Sequence, residues 1–435
     1  MSLIFRMLCV LIGWALSFGL QSQPIVPLPQ GAYFSPFLPH IAPDTQGLLL
    51  KEGDRLAICG DSITEQKMYS RIMETYLTVC VPDLRVSVRQ FGWSGERAPG
   101  FLARMTNDVL RFRPTIATTC YGMNDHRYQP FTDEIGEEYE KSSRSIIQAF
   151  KSHGVRVVQG SAGTVGKMPS WVRSAKGTVQ DLNLGLLELR NIDVRLAREE
   201  KVAFADVFLP MLVQGYQAQE TYGKNYMLTG KDGVHPGWAG QVVMAYAFLK
   251  AFGLNGNIGQ VSIDLKHQTA TTTGLHEIRE VSEGELNLIS RQYPFCVAGS
   301  LGDDSSARSG MEWVPFMEDL NRFVLKISNP SALKYRVFWG KHERVYSSDA
   351  LVQGVNLAAD FLENPFSESF QKVDQAVAAK QAYETRQIKQ IFHGPEGRID
   401  AEMAAALTEK TRAPLVQAVR ESFQPVKHSI RLVAE

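Results

Sequence analysis

The chain has no surplus of charge of either sign: 46 Lys and Arg residues are matched by 46 Asp and Glu. Without a basic excess, neither a nucleic acid nor an anionic membrane surface is expected as the main partner. Cysteine is scarce, at 5 in 435 residues. Cys59, Cys80, Cys120 and Cys296 are spaced irregularly and carry no metal-ligand pattern. Each lies in or beside an apolar segment, which reads as a buried thiol. Export would permit a disulfide, with Cys59 and Cys120 the first pair to test. The sequence also lacks internal repeats and low-complexity tracts. Beyond the N-terminus, no apolar run is long enough for a membrane span.

What is present is core material. Hydrophobic residues make up 44% of the chain and charged residues 21%, the balance of a globular protein. A length of 435 residues exceeds one ordinary domain and predicts two or three. At the N-terminus, Arg6 precedes an apolar stretch from Met7 to Leu20, and Gln21, Ser22, Gln23 and Pro24 follow. That pattern reads as a signal peptide over residues 1–22, and so as an exported protein; an uncleaved N-terminal anchor is the alternative.

From Asp54 to Leu254 strand-like and helix-like segments alternate. Strands are predicted at Arg55–Cys59, Leu84–Phe91, Thr115–Tyr121, Val155–Gln159 and Val202–Phe208. Helices are predicted at Tyr69–Cys80, Phe101–Phe112, Glu134–His153, Val179–Glu200 and Gly237–Phe252. Such alternation implies right-handed crossovers and a parallel sheet covered on both faces. After Gly253, Gly256 and Gly259 the texture changes. Val261–Val297, Glu312–Phe316, Arg322–Ile327 and Tyr335–Trp339 suggest a small β-rich unit over residues 256–346. The remainder, 347–435, reads as helical. Phe366, Phe370, Val373 and Val377 step along one helix face, and Ala401–Leu407 and Pro414–Phe423 suggest two further helices.

Four short motifs punctuate the α/β part. They are Gly60-Asp61-Ser62, Gly92-Trp93-Ser94-Gly95-Glu96, Gly122-Met123-Asn124-Asp125 and Asp232-Gly233-Val234-His235-Pro236. The first three follow strands, where open α/β sheets hold their ligands, and the fourth precedes the last helix. A serine hydroxyl is a poor nucleophile without a base. His235 supplies one, and Asp232, three residues earlier, is spaced to orient its imidazole. Acyl transfer also needs donors aimed at the developing oxyanion. The Ser62 N–H, the Gly95 N–H and the Asn124 side-chain amide are the candidates. Taken singly, each residue reads as a turn or a cap. Their occurrence together, at successive strand ends of one domain, is what points to chemistry. Ser94 is no rival nucleophile, because its surroundings lack Gly-x-Ser-x-Gly spacing.

Here the chain resembles the SGNH (GDSL-like) hydrolase family. The resemblance covers about Arg55 to Leu254 and includes all four motifs in order. It implies a three-layer, flavodoxin-like α/β/α hydrolase domain, assigned to residues 30–255, with neither metal nor cofactor. It also implies Ser62 as nucleophile, Asp232 and His235 as its partners, and Gly95 and Asn124 in the oxyanion hole. Trp93 and His126 are candidate substrate contacts. The expected function is an exported serine esterase acting through an acyl-enzyme on a small-molecule or glycan ester, foremost a carbohydrate O-acetylesterase. A lipase, lysophospholipase or thioesterase of the same family is one alternative. Another is a non-catalytic carbohydrate binder, with Trp313, Tyr335, Phe338 and Trp339 as a binding face or, otherwise, as core.

Overall fold

Short, mostly buried runs, ended by glycine and polar turns, make four strands of a five-stranded parallel sheet, and the fifth, Ser87–Gln90, buries only alternate residues. The computed structural model describes residues 27–45, 47–282, 284–297 and 299–435, so the expected signal peptide lies outside the described residues. The α/β part begins with β1 (Arg55–Gly60), α1 (Ser62–Glu65), α2 (Tyr69–Val79), β2 (Ser87–Gln90), α3 (Ala98–Asp108) and β3 (Ile116–Cys120). It continues with α4 (Asp133–Ser152), β4 (Arg156–Gly160), α5 (Val179–Glu199), β5 (Ala203–Ala205), α6 (Phe208–Tyr222) and α7 (Trp238–Ala251). The strand order is β2-β1-β3-β4-β5, and every pairing is parallel. This is the flavodoxin-like order, whose switch point lies between β1 and β3.

Two strands are shorter than the apolar pattern predicts. Before β2, Pro82–Leu84 forms a 3-10 turn and Arg85 takes a left-handed conformation (φ +47°), so pairing starts only at Ser87. After β5, the Ser161 hydroxyl accepts hydrogen bonds from the Val207 and Phe208 N–H groups at 3.0 and 3.1 Å. The chain turns there into α6, a helix the strand reading overlooked.

Adjacent strand residues face opposite sides of a sheet. Cys59 aligns with Thr119, and Cys120 with Gly60. Cys59 therefore packs with Phe101 and Tyr139 on one face, and Cys120 with Ile58 and Val158 on the other. No disulfide joins them, and all four described cysteines are free thiols.

The C-terminal β-rich unit is two sheets. One has the order β13-β10-β6-β7, built from β6 (Asn257–Asp264), β7 (Thr269–Thr272), β10 (Arg322–Ser328) and β13 (Val355–Asn356). The other has the order β12-β11-β14-β9-β8. Its strands are β8 (His276–Ser282), β9 (Glu285–Ser290), β11 (Lys334–Trp339), β12 (His342–Ser347) and β14 (Val426–Ala434). β14, the last strand of the chain, inserts between β11 and β9. The segment Glu312–Phe316 is not a strand. Trp313 N–H turns back onto Gly310 O, and Pro315 has no N–H to offer a ladder.

Between β13 and β14 the chain is helical. The helix Ser367–Arg386 buries Phe370, Val373 and Val377. It runs into a π-helical turn, Gln387–Phe392. A single helix, Ala401–Ser422, then takes the place of the two expected, with the exposed Pro414 inside it. One apolar cluster runs from α2 and α7 into the C-terminal sheets, where Tyr76 meets Phe295 and Phe316. Tyr335 and Trp339 are buried in it, and Phe338 packs under the Arg431 guanidinium. Trp313 is half-buried and donates its indole N–H to the Tyr226 hydroxyl at 2.9 Å. These aromatics are core and packing residues, not an open binding face. Among the described residues, no helix is long and apolar enough to cross a membrane.

Candidate active site

Gly60 ends β1 because nothing larger fits: a Cβ there would lie 2.1 Å from Thr64 Oγ1 and 2.9 Å from Cys120 O. Asp61 then caps α1, accepting a hydrogen bond from Ile63 N–H at 2.9 Å. Ser62 is consequently the first residue of a short helix at the carboxyl end of a central strand, half-buried. Burial pushes the Asp61 carboxyl up to about 7 against the opposing Ile63 hydrogen bond.

The fourth motif reaches Ser62 from the loop before α7. Asp232 Oδ1 accepts from the N–H groups of Val234 and His235, both at 2.9 Å. Its Oδ2 lies 2.6 Å from His235 Nδ1. His235 Nε2 lies 2.8 Å from Ser62 Oγ. An ionised Asp232 accepts from Nδ1–H, which leaves Nε2 free to accept the Ser62 proton. Partial burial opposes that ionisation, but hydrogen bonds from the His235 N–H, its ring and the Val234 N–H hold Asp232 below the usual carboxylate range. The loop is held in turn by Gln241, whose amide donates to Pro236 O at 3.3 Å and to Gln66 Oε1 at 2.9 Å.

The second and third motifs close the other side. Asn124 donates from its side chain to Glu96 O at 3.1 Å, with Asp61 Oδ2 at 3.4 Å. Asp125 pins this loop, accepting from Gly122 N–H at 2.9 Å and from Ala98 N–H at 2.8 Å. Burial raises Asp125 to about 6. Gly95 sits in the left-handed region (φ +75°), where a side chain would strain the turn. Its neighbour Glu96 is clamped by two Arg104 hydrogen bonds of 2.6 Å each and one from the Tyr121 hydroxyl at 3.0 Å. Ser94 points its hydroxyl at Glu65, 2.6 Å away, and not at a histidine.

Trp93 is half-buried at the rim, its ring against His393 and within cation–π range of Arg104. His126 departs from expectation. It is 1% exposed, its Nδ1 lies 2.5 Å from Met123 O, and its ring packs on Tyr128. Burial lowers it to about 4, so it stays neutral behind the site and presents no surface to a substrate. Trp171 stands in its place. It is 49% exposed, with its ring centroid 5.7 Å from that of His235 and 5.6 Å from that of Tyr128. Sequence reasoning named Trp93 and His126 as substrate contacts and did not link Trp171 to His235. It missed Glu65 and Asp125, whose carboxylates position the loops. Among the described residues, no cluster of His, Cys, Asp and Glu could hold a metal ion. A cavity of about 630 Å³ lies well away, between β2 and the helix Ala401–Ser422.

Sheet order and site together define a flavodoxin-like α/β protein with a Ser–His–Asp centre at its switch point. Residues 58–243 match the GDSL-like lipase/acylhydrolase family, and the α/β domain belongs to it; the chain is an ester-bond hydrolase. No curated protein matches it in sequence. Among solved structures, the chain is similar to BT4096, described as a gut microbial diltiazem-metabolizing enzyme. Identity is 21%, the TM-score is 0.69, and the match covers 90% of this chain and all of that one. The shared fold therefore extends into the C-terminal sheets. Two smaller structures match about half of the chain. LAE5, an alpha/beta hydrolase from the metagenome of Lake Arreo, Spain, is 23% identical over 48% of this chain and 98% of its own, with a TM-score of 0.38. Axe2, an acetylxylan esterase from Geobacillus stearothermophilus, is 22% identical over 48% and 97%, also with a TM-score of 0.38.

Proposed function

We propose that this chain is a serine esterase that removes short acyl groups from carbohydrate esters through an acyl-enzyme. The observation that carries the mechanism is the unbroken chain Ser62 Oγ, His235 Nε2, His235 Nδ1, Asp232 Oδ2, with links of 2.8 and 2.6 Å. His235 takes the Ser62 proton as Oγ bonds to the ester carbonyl carbon. The carbonyl oxygen becomes an oxyanion, met by the N–H groups of Ser62 and Gly95 and by the Asn124 amide. Collapse breaks the bond to the leaving alcohol, which receives its proton from His235. Water, deprotonated by His235, then attacks the acyl-enzyme and releases the acid and free Ser62.

The glycan preference rests on the rim. Trp171 offers an exposed aromatic surface next to His235, Trp93 borders the Gly95 turn, and the half-buried Asn124 and Gln66 supply polar edges. Aromatic surfaces with polar neighbours suit a sugar alcohol better than a long acyl chain. Acetate release from acetylated oligosaccharides, measured beside a lipid ester and thioester panel, tests this. Acetate should be released from glycans by the wild type and not by Ser62→Ala. Lipid or thioester turnover without glycan deacetylation would redirect the substrate to the alternatives. Export is part of the same proposal, supported by Arg6 and the apolar run Met7–Leu20. N-terminal sequencing of protein recovered from cell fractions distinguishes a cleaved signal from an anchor.

A further inference from the structure

The helical segment after residue 347 lies outside the family match, yet one of its side chains reaches Glu65, on the helix that Ser62 opens, and the ring of Trp93, in the loop that carries Gly95. The turn Gln387–Phe392 is π-helical, a rare geometry that concentrates at functional sites. It sets Lys389 against the end of α1. Lys389 Nζ donates to both oxygens of Glu65, at 2.8 and 2.9 Å. Glu65 closes the same short helix that Ser62 opens. Its Oε2 also accepts from Ser94 N–H and Ser94 Oγ–H, both at 2.6 Å. Three donors from two distant parts of the chain thus converge on one carboxylate. Partial burial works to raise Glu65, and the hydrogen bonds from Lys389 and Ser94 outweigh it, leaving it ionised.

Ser94 and Gly95 are exposed, and a Cβ built on Gly95 meets nothing within 4 Å, so packing does not hold this turn. Glu65 holds it by hydrogen bonds, and Lys389 holds Glu65. The same turn of the tail supports Trp93, with Lys389 Nζ 5.4 Å from the ring centroid and the His393 ring 4.8 Å away. His393 is itself anchored on Asp108 Oδ2 at 2.8 Å.

We propose that Lys389 is a positioning residue for ester hydrolysis: through Glu65 and Ser94 it fixes the peptide whose Gly95 N–H meets the oxyanion. This rests on the reading of Gly95 as an oxyanion donor. A donor displaced from its line contributes in the transition state and not in ground-state binding, so its loss lowers kcat more than it raises KM. Losing such a donor outright costs roughly a hundred- to thousandfold, and a loosened donor costs less, on the order of tenfold.

The test is steady-state hydrolysis of p-nitrophenyl acetate by the full chain and by Lys389→Met, Lys389→Arg, Glu65→Gln and the double variant Glu65→Gln/Lys389→Met, with thermal midpoints and fluorophosphonate labelling of Ser62. Lys389→Met should lower kcat by on the order of tenfold with KM little changed. Lys389→Arg should restore most of the rate. The double variant should be no slower than the slower single variant, because both changes break one contact. A Lys389→Met enzyme with wild-type kcat overturns the inference, provided the wild type labels and hydrolyses through Ser62. So does an Arg variant as slow as Met, or a rate loss accounted for by a lowered thermal midpoint. A wild type without Ser62-dependent hydrolysis overturns the reading of the site, and the inference with it.

Discussion

Asn124 and Asp61 flank Ser62 and are set apart by charge. Asn124 already donates to Glu96 O, so its amide is held near the site before any substrate arrives. Replacing it with alanine removes one oxyanion donor. Asn124→Ala should lose about a hundred- to thousandfold in kcat, with an unchanged circular dichroism spectrum. Asp61 makes a different prediction. Burial holds its carboxyl near pH 7 in the fold, well above the ordinary range of the unfolded chain. The native state then keeps a proton that the unfolded chain has released, so this contribution is present at low pH and is lost as pH rises toward 7. In urea titrations at pH 5 and pH 7, the wild type should lose more stability on going to pH 7 than Asp61→Asn does. The excess is at most about 1.4 kcal/mol per pH unit. Equal losses would show that Asp61 ionises freely.

Between elements, a directed hydrogen-bond chain ties the two C-terminal sheets together. Trp339 Nε1–H on β11 donates to His428 Nδ1 on β14 at 3.2 Å. His428 Nε2 meets Ser290 Oγ on β9 at 2.8 Å, Ser290 Oγ meets His276 Nδ1 on β8 at 2.7 Å, and His276 Nε2 meets Ile258 O on β6 at 3.0 Å. An indole N–H only donates and a carbonyl only accepts, so every link runs one way and both histidines are neutral, protonated on Nε2. A proton on His428 Nδ1 would confront the Trp339 N–H. Burial, followed by the neighbouring His276, lowers His428 to about 3. The unfolded chain takes up that proton near the ordinary histidine range, so this stability is present above about pH 6.5 and is lost as pH falls. On moving from pH 7 to pH 4.5, the wild type should weaken more steeply than His428→Phe, by up to about 1.4 kcal/mol per pH unit. Identical slopes in chemical denaturation would refute it. Pattern reading saw β11 in Tyr335–Trp339, but not β14. Alternating polar residues in Val426–Ala434 gain meaning only beside β9 and β11, which are distant in sequence.

At the scale of the whole molecule, the helical tail covers the open edge of the parallel sheet. β2 is an edge strand, and its Val88 carbonyl accepts from Lys380 Nζ at 2.8 Å and from an Arg412 NH2 group at 3.1 Å. The Gln90 N–H donates to Glu384 Oε2 at 3.1 Å. Side chains thus satisfy an edge that would otherwise invite another strand. The clasp is ionic and buried: Lys380 lies 2.7 Å from Glu384 Oε1 and 3.1 Å from Glu74 Oε1 on α2. Breaking one partner of such a cluster leaves charges buried and uncompensated. Lys380→Met should therefore cost about 3–5 kcal/mol, read as a lowered urea midpoint. A loss below about 1 kcal/mol, the level of a surface pair, would mean that the tail is only loosely attached.

The α/β half and its site were legible in the sequence because both are local. Every strand but the edge strand β2 is a short, mostly buried run, and each site residue lies within a few positions of a strand end or the start of α7. Ser62, Gly95, Asn124, Asp232 and His235 could be named from spacing, and the fold brings Ser62, Asp232 and His235 into one hydrogen-bonded line. The burial of His126, the exposed Trp171 beside His235 and the opposed faces of Cys59 and Cys120 could not be read that way. They depend on how loops and strands meet, not on what lies adjacent along the chain. Lys389 is the extreme case, meeting a carboxylate 324 positions away through a turn whose π geometry leaves no mark in the apolar pattern. Sequence by itself determined the class of sheet and the chemistry offered at its switch point. Tertiary structure alone decided what holds that chemistry in place, because the holding contacts are long-range and polar, and periodicity records only which face is apolar.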